Sequence, residues 1–468
     1  MNELLTKLND FMYTYVLFIL LVGVGVYFTI RTRFVQLRLL KDGIKSMLEK
    51  SEGKEGEKKV SSFQALMIST ASRVGTGNIA GIATAIAAGG PGAVFWMWLM
   101  AIVGGASAFV ESTLAQIYKV KKDGQFRGCP SYYMEKALGK RWMGVLFSIL
   151  LIICFAYGFN GLQAYNMSSA LEYYIPNYGE SNIPMLLGLL LAGATAYVIW
   201  GGVHRIGFIT SVMVPVMAVA YILIGFATLL LNISQLPHVV SSIMKDAFDV
   251  QAMMGGLAGS AVVIGIKRGL FSNEAGMGSA PNASASAEVD HPVKQGLVQV
   301  ISVFIDTILI CSSTAVMLLV SGVEGKSGVL DGIPYVQAAI RANVGDWGIH
   351  FITFSIFAFA FSSLVGNYYY AESNILFIKN SKVLLTVFRV TCLLAIFFGA
   401  QADFSLVWNI ADITMGFMAI VNIIAIFLLG KIAFRTLAHY EKQKREGKNP
   451  VFYEDEIGLK GTVWTREK

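Results

Sequence analysis

Arg73-Val74-Gly75-Thr76-Gly77-Asn78-Ile79-Ala80-Gly81-Ile82-Ala83-Thr84-Ala85 recurs 195 residues downstream as Arg268-Gly269-Leu270-Phe271-Ser272-Asn273-Glu274-Ala275-Gly276-Met277-Gly278-Ser279-Ala280. Arg, Asn, Ala, Gly and the closing Ala keep register, and Thr84 is matched by Ser279. Both stretches lie inside apolar segments, yet they place glycines, an amide and an arginine where lipid favours leucine. Such a break strands backbone N–H and C=O groups, which is tolerable only where protein or a watery cavity receives them. Paired broken helices in matching halves of a chain point to a transporter's substrate site.

Hydrophobic residues make up 55% of the 468-residue chain and charged ones only 14%, a balance that implies many membrane spans rather than a large soluble core. Cys154, Cys311 and Cys392 sit in apolar segments and Cys129 in a basic loop, so the four offer neither a disulfide framework nor metal-ligand spacing. Counted against the about 20 apolar residues a helix needs to cross a bilayer, the runs lie near 11–30, 64–89, 92–118, 142–171, 184–203, 208–232, 251–280, 297–321, 346–378, 382–400 and 404–430. The first follows a mixed-charge start and lacks a small-residue cleavage site, so it reads as a retained span and not a signal peptide. The run at 346–378 is long enough to tilt or to extend past the bilayer.

Lys and Arg divide the loops. Segments 31–60, 119–141 and the tail beyond 430 hold nine, seven and nine of them, and Arg205, Lys294, Lys379 and Lys382 fall on the same side. The other side holds only Lys7, Lys245, Lys326 and Arg341, so the positive-inside rule places the N-terminus outside and the C-terminus in the cytoplasm of a multi-pass plasma-membrane protein. The net charge of +7 is therefore a topology signal, and the hydrophilic pieces are too short for a basic nucleic-acid-binding domain. Leu37, Leu40, Ile44, Met47 and Leu48 recur at helical spacing among Arg38, Lys41, Lys45 and Lys50, which predicts an amphipathic helix on the cytoplasmic leaflet; a soluble partner-binding helix is the alternative. The Gly- and Lys-rich stretch 51–59 follows as a tether, and no obligate protein partner is evident.

Without the first span ten remain, and the two motifs fall in the first and sixth. Spans five apart cross in opposite directions, so the repeat is an inverted five-plus-five. That predicts an all-α integral membrane protein of about 11 transmembrane helices, with leucine-transporter-like symmetry and one extra N-terminal helix. The parts are then 1–30 (extra helix), 31–60 (amphipathic helix and tether), 61–232 (first repeat), 251–430 (second repeat) and 431–468 (cytoplasmic tail). The run from Gly75 to Ala85, the Gly89-Gly90-Pro91-Gly92-Ala93-Val94-Phe95-Trp96-Met97-Trp98 that follows, and the run from Asn273 to Pro281 resemble the alanine/glycine:cation symporters of the amino acid-polyamine-organocation superfamily. The resemblance spans essentially the whole membrane region and implies sodium-coupled uptake of alanine, glycine or both, with sodium as coupling ion and no cofactor.

A zwitterionic amino acid at the midplane brings a carboxylate and an ammonium, and broken helices supply partners for both. The half-helix after Gly75 has free N–H groups and a positive dipole end, and glycines at 75 and 77 let a carboxylate approach the backbone. Helix packing through Gly75, Gly77 and Gly81 is the alternative. By similarity to the fold, Thr76 and Gly77 face the carboxylate and Asn78 offers its side-chain oxygen to a sodium ion. The second break, read as Gly269 to Gly276, provides the opposite wall, with Phe271 over the substrate side chain and Asn273 turned inward. Asn160 and Gln163 share a face of the third core helix, where amides either bond a neighbouring helix or reach the ligand; Gln163 is assigned to the ligand. In this fold a hydroxyl pair such as Ser362 and Ser363 completes a second sodium site with the carbonyls of Ala71 and Val74. Back-bonding of the serines to their own helix is the alternative.

Arg73, Glu111, Lys267, Arg268, Glu274, Asp306, Glu372, Arg389 and Asp412 are ionisable groups at membrane depth, which mark a pathway, a gate or an ion pair. Arg73 and Arg268 hold equivalent repeat positions and are the candidate gates, with Glu274, Glu111 or Asp412 as partners. No nucleophile elbow, metal-ligand spacing or Rossmann unit supports an enzyme. A receptor would lack two opposed breaks, and a channel would need a continuous selectivity pathway. Proton-coupled amino-acid transport, titrating on Glu274, Asp306 or Glu372, is the alternative within transporters.

Overall fold

The computed structural model describes residues 2–49, 60–122, 124–249 and 260–466. The tether at 51–59 and the start of the sixth core segment, 251–259, lie outside the described residues. Helix entry is set locally. The Ser61 hydroxyl accepts the Gln64 N–H at 3.1 Å while Gln64 Oε1 accepts the Ser61 N–H at 3.0 Å, a capping box that starts the helix Ser62–Arg73. After the interruption the chain resumes as Ala80–Gly89 and stops at Gly90, whose φ of +75° suits glycine, before Pro91 leads into the helix Gly92–Ile117. In the second half Ser260 caps Ala261–Asn273, and a short helix, Ala280–Ser284, follows the second interruption.

Among the described residues, eight helices are long and apolar enough to cross a bilayer: Leu4–Arg31, Gly92–Ile117, Arg141–Ser169, Phe208–Leu231, Pro292–Leu319, Asp346–Ile378, Lys382–Gly399 and Phe404–Arg445. Ile183–Ile199 is apolar but shorter, and the two interrupted helices fall below that length because they are broken. Among the described residues the one sheet is a two-stranded hairpin, Val120–Lys122 with Gln125–Arg127. Three of the long helices contain a wide π-helical stretch: Met12–Leu17, Ile153–Phe159 and Phe304–Cys311. The last two immediately precede Asn160 and include Asp306.

Small residues bring the second interrupted helix against Gly92–Ile117. A Cβ on Gly265 would fall 2.5 Å from the Ala93 carbonyl oxygen, and one on Gly104 2.9 Å from the Ala275 Cβ. Lipid offers no hydrophobic drive between helices, so such close backbone contact and its dispersion supply the attraction. Two short helices, Val35–Arg38 and Leu40–Leu48, occupy the expected amphipathic segment. Leu37, Ile44 and Leu48 are exposed, while Gly43 and Ser46 are buried, with Gly43 against Leu297 and Ile301 of the helix Pro292–Val303.

Candidate functional site

The first interruption runs from Val74 to Ile79, with Gly75 extended and Thr76–Asn78 forming one tight turn. Its stranded groups find partners within the break, on the third core helix and on the helix Pro292–Leu319. Gly75 N–H donates to Asn78 Oδ1 at 3.2 Å and Thr76 N–H to Gln163 Oε1 at 3.0 Å. Asn166 Nδ2 donates to the Thr76 hydroxyl at 3.0 Å, and Thr314 Oγ1 donates to the Asn78 carbonyl at 2.6 Å. Neighbours crowd both glycines. A Cβ on Gly75 would lie 2.5 Å from Ser363 Oγ and 2.8 Å from Gln163 Nε2, and one on Gly77 would strike the Phe271 ring, 2.6 Å from its Cδ1.

Beside Gly75, oxygens converge. Ser363 Oγ lies 3.0 Å from the Ala71 carbonyl oxygen, 3.4 Å from that of Val74 and 3.1 Å from that of Phe359. One hydroxyl proton cannot serve three acceptors, and a buried surplus of oxygens at a helix break has the chemistry that suits a small hard cation. The adjacent serines divide: Ser362 Oγ donates to Phe359 O at 2.9 Å within its own helix, and no contact ties it to the break. His, Cys, Asp and Glu form no metal-sized cluster among the described residues.

The second interruption begins later than Gly269. The helix runs through Asn273, and the chain then turns on Glu274, left-handed at φ +53°, and on Gly276 and Gly278 at +81° and +89°. Gly269 therefore corrects to a packing position: a Cβ there would meet Met100 at 3.1 Å and Met97 at 3.4 Å on the helix Gly92–Ile117. Glu111 on that helix holds the turn, accepting Gly276 N–H at 3.3 Å and Gly278 N–H at 3.0 Å, while Asn422 Nδ2 donates to Glu111 at 2.9 Å and to Gly276 O at 2.8 Å. Asn273 Oδ1 turns back to accept Ala275 N–H at 3.0 Å, and its buried Nδ2 has no partner. Phe271 faces Gly77 from a cluster with Phe159, centroids 4.9 Å apart, and Trp408, 5.3 Å apart.

The first break meets the last turn of the helix ahead of the second, with Asn78 Nδ2 3.4 Å from Ser272 Oγ, and reaches the helix Pro292–Leu319, 2.6 Å from Asp306 Oδ1. A cleft of about 230 Å³ lined by Tyr165, Asn166, Glu172 and Phe404 reaches the Thr76 side through Asn166. Arg268 makes a two-pronged pair with Asp412 at 3.1 and 3.0 Å, Lys267 joins at 2.7 Å, and the Arg268 guanidinium lies 4.3 Å from the Trp408 ring centroid. Arg73 departs from the expected pairing. It donates from Nη1 to Gln299 Oε1 at 3.3 Å and forms no ion pair with Glu111, Glu274 or Asp412. Asn160 joins helices rather than a break: its Oδ1 accepts Asn367 Nδ2 at 3.0 Å and its Nδ2 lies 3.3 Å from Cys392 Sγ. Asn166, Asn367 and Trp408 were not among the expected site residues. Asn166 continues the three-residue spacing of Asn160 and Gln163, and Asn367 is one turn beyond Ser363, whereas nothing in the sequence distinguishes Trp408.

Interrupted helices crossing at one oxygen-lined point define a membrane transporter of the leucine-transporter-like class. The transporter MhsT, crystallised with L-phenylalanine, shares the fold at a TM-score of 0.57 and 16% identity, over 88% of this chain and 95% of that one. The sodium:alanine symporter family model matches residues 1–454, and the chain belongs to that family. Relatives include the probable sodium/glutamine symporter GlnT of Bacillus subtilis, 49% identical over 96% of this chain and 92% of its own length. The putative sodium/proton-dependent alanine carrier YrbD of the same organism is 44% identical over 100% and 98%, and the sodium/alanine symporter AgcS of Methanococcus maripaludis is 38% identical over 96% and 99%.

Proposed function

We propose that this chain is a sodium-coupled symporter that takes up small neutral amino acids, alanine and glycine, by alternating access around the paired breaks. The observation that carries the reading is the convergence of the Ala71, Val74 and Phe359 carbonyls on Ser363 Oγ beside Gly75. Sodium, as co-substrate, would be held by those oxygens, and the substrate carboxylate by backbone at Gly75 and Gly77 with Thr76 and Gln163 alongside. Cation and carboxylate favour each other's arrival across the shared break, which is the physical content of coupling. Phe271 leaning on Gly77, backed by Phe159 and Trp408, favours a side chain no larger than a methyl group over the glutamine in one relative's name. Loop charge favours an outside N-terminus and a cytoplasmic C-terminus. Family and fold give no support to an enzymatic activity.

Buried Glu111, Glu274 and Asp306 favour a second reading, in which protons contribute to the driving force. Reconstituted into proteoliposomes, the protein should accumulate labelled alanine under an inward sodium gradient, with excess glycine competing and excess glutamine competing weakly. Accumulation under a proton gradient alone would reject sodium coupling, and strong competition by glutamine would reject the small-substrate assignment.

A further inference from the structure

Around the crossing of the two interrupted helices, three buried acids are accompanied by one buried cation, Arg73, which forms an ion pair with none of them. Glu111, Glu274 and Asp306 are each at most 1% exposed and Arg73 is 2% exposed. Lys267 and Arg268 are committed to Asp412, and Arg389 to Glu372. Two uncompensated charges in a low-dielectric interior are expensive, so the cluster must take up protons or metal cations.

Hydrogen-bond polarity separates the three acids. Glu111 receives N–H donors on both oxygens, from Gly276, Gly278 and Asn422, and an N–H cannot accept a proton in return. Asp306 receives the Asn78 amide on one oxygen and the hydroxyls of Ser272 and Thr307 on the other. Glu274 meets hydroxyls alone: Ser279 Oγ at 2.5 Å from Oε2 and Ser72 Oγ at 3.3 Å from Oε1. The Ser72 hydroxyl has one proton for two acceptors, Glu274 Oε1 at 3.3 Å and Asn367 Oδ1 at 2.8 Å, the latter turned to it because the Asn367 amide nitrogen donates to Asn160 Oδ1 at 3.0 Å; the shorter contact takes the proton. Ser72 therefore turns a lone pair toward Glu274, and a proton on Glu274 Oε1 completes the contact.

We infer that Glu274 is a proton-binding site of the transporter, and that its proton competes with the cation held at Ala71, Val74 and Ser363. The inference rests on the sodium reading of that oxygen cage. The two positions share both walls: Ser72 follows Ala71 on one helix, and Asn367 lies one turn beyond Ser363 on the other. A carboxylate so placed attracts sodium, and a carboxylic acid does not, so sodium entry expels the proton to water and low pH weakens sodium binding. Other groups facing Glu274 are Arg73 and Asp306, with Tyr370 of the helix Asp346–Ile378 and Cys154 of the third core helix, and Glu111 lies across the turn.

The full chain in detergent, weakly buffered with a pH-indicator dye, is titrated with sodium chloride against a potassium chloride control, and sodium binding is followed in parallel by calorimetry between pH 6 and pH 9. The wild type should release protons on sodium addition and bind sodium more tightly at the higher pH, on the order of tenfold. Glu274→Gln keeps both hydroxyl contacts through its amide, so it should still bind sodium, release no proton and lose the pH dependence. Ser72→Ala removes the acceptor for the Glu274 proton and should move the release midpoint to lower pH, which keeps the test open if the glutamine variant fails to fold. Sodium binding without proton release in the wild type, or equal release from Glu274→Gln, overturns the proton site alone. Absence of any sodium-specific heat in the wild type overturns the sodium reading and the competition with it.

Discussion

Replacing Ser363 by alanine removes the single side-chain oxygen from the cage beside Gly75. That hydroxyl donates among the Ala71, Val74 and Phe359 carbonyls at 3.0 to 3.4 Å. With sodium bound it must rotate its proton away and offer a lone pair, exchanging an ordinary hydrogen bond for contact with a full charge. An interaction with a charged partner contributes about 1.5 to 3 kcal/mol and the neutral bond it replaces about 1, so the net loss is about 0.5 to 2 kcal/mol, or roughly two- to thirty-fold in sodium affinity. Alanine uptake into proteoliposomes, measured across sodium concentrations at fixed pH, should show the half-saturating sodium concentration raised by that factor, with uptake recovering at high sodium. Because binding linkage is reciprocal, apparent alanine affinity should fall at low sodium as well. Ser362→Ala is the internal comparison: its hydroxyl bonds only Phe359 in its own helix, so its effect should be much the smaller. An unchanged sodium dependence in Ser363→Ala, or an equal shift in both variants, would refute the cage.

Gly77→Val drives a branched side chain into the Phe271 ring and should abolish alanine binding in calorimetry while the purified protein stays monodisperse; near-normal affinity would remove Gly77 from the substrate site. Asp412→Asn leaves the buried Arg268 and the half-buried Lys267 without the carboxylate they share and should destabilise the fold by about 3 to 5 kcal/mol, so thermal unfolding at the wild-type temperature would separate Asp412 from those cations. Single cysteines at Asn78 and Asn273 in a cysteine-free background should both be slowed together, by sodium plus alanine, in their reaction with a small hydrophilic thiol reagent. Protection of one position only would mean that the breaks do not share one occluded ligand.

The architecture was legible because its signal is a violation. Glycine, amide and arginine inside two apolar segments announce broken helices, and their separation by five places in the order of spans, an odd step, sets their opposition. Local backbone chemistry was less legible. The second break starts at Glu274 and not at Gly269, because a glycine inside a membrane helix serves equally as a packing surface, here for Met97 and Met100. Ser362 and Ser363 are adjacent in sequence but 100° apart around a helix, and only contact with the Ala71 and Val74 carbonyls tells which one faces the break. Trp408 reaches Phe271 and Arg268 from more than 130 residues away, and no spacing in the chain encodes that approach.

The helix Phe404–Arg445 has a mechanical consequence. At about 1.5 Å per residue its 42 residues span roughly 63 Å, about twice the hydrocarbon thickness, so much of it stands clear of the lipid. Asp412 fastens it to Arg268 near one end. At the other end the chain folds back, with the Trp464 indole N–H on the Gln116 carbonyl at 2.9 Å and the Phe452 N–H on that of Asp290 at 2.9 Å. Near the same end Glu441 pairs with Arg38 at 2.6 Å and Lys444 pairs with Asp42, both from the segment of the short helices Val35–Arg38 and Leu40–Leu48. The helix is thus a strut held at both ends, and a pair of spectroscopic labels near Asp42 and Lys444 would report whether rearrangement at the breaks slackens its far anchorage.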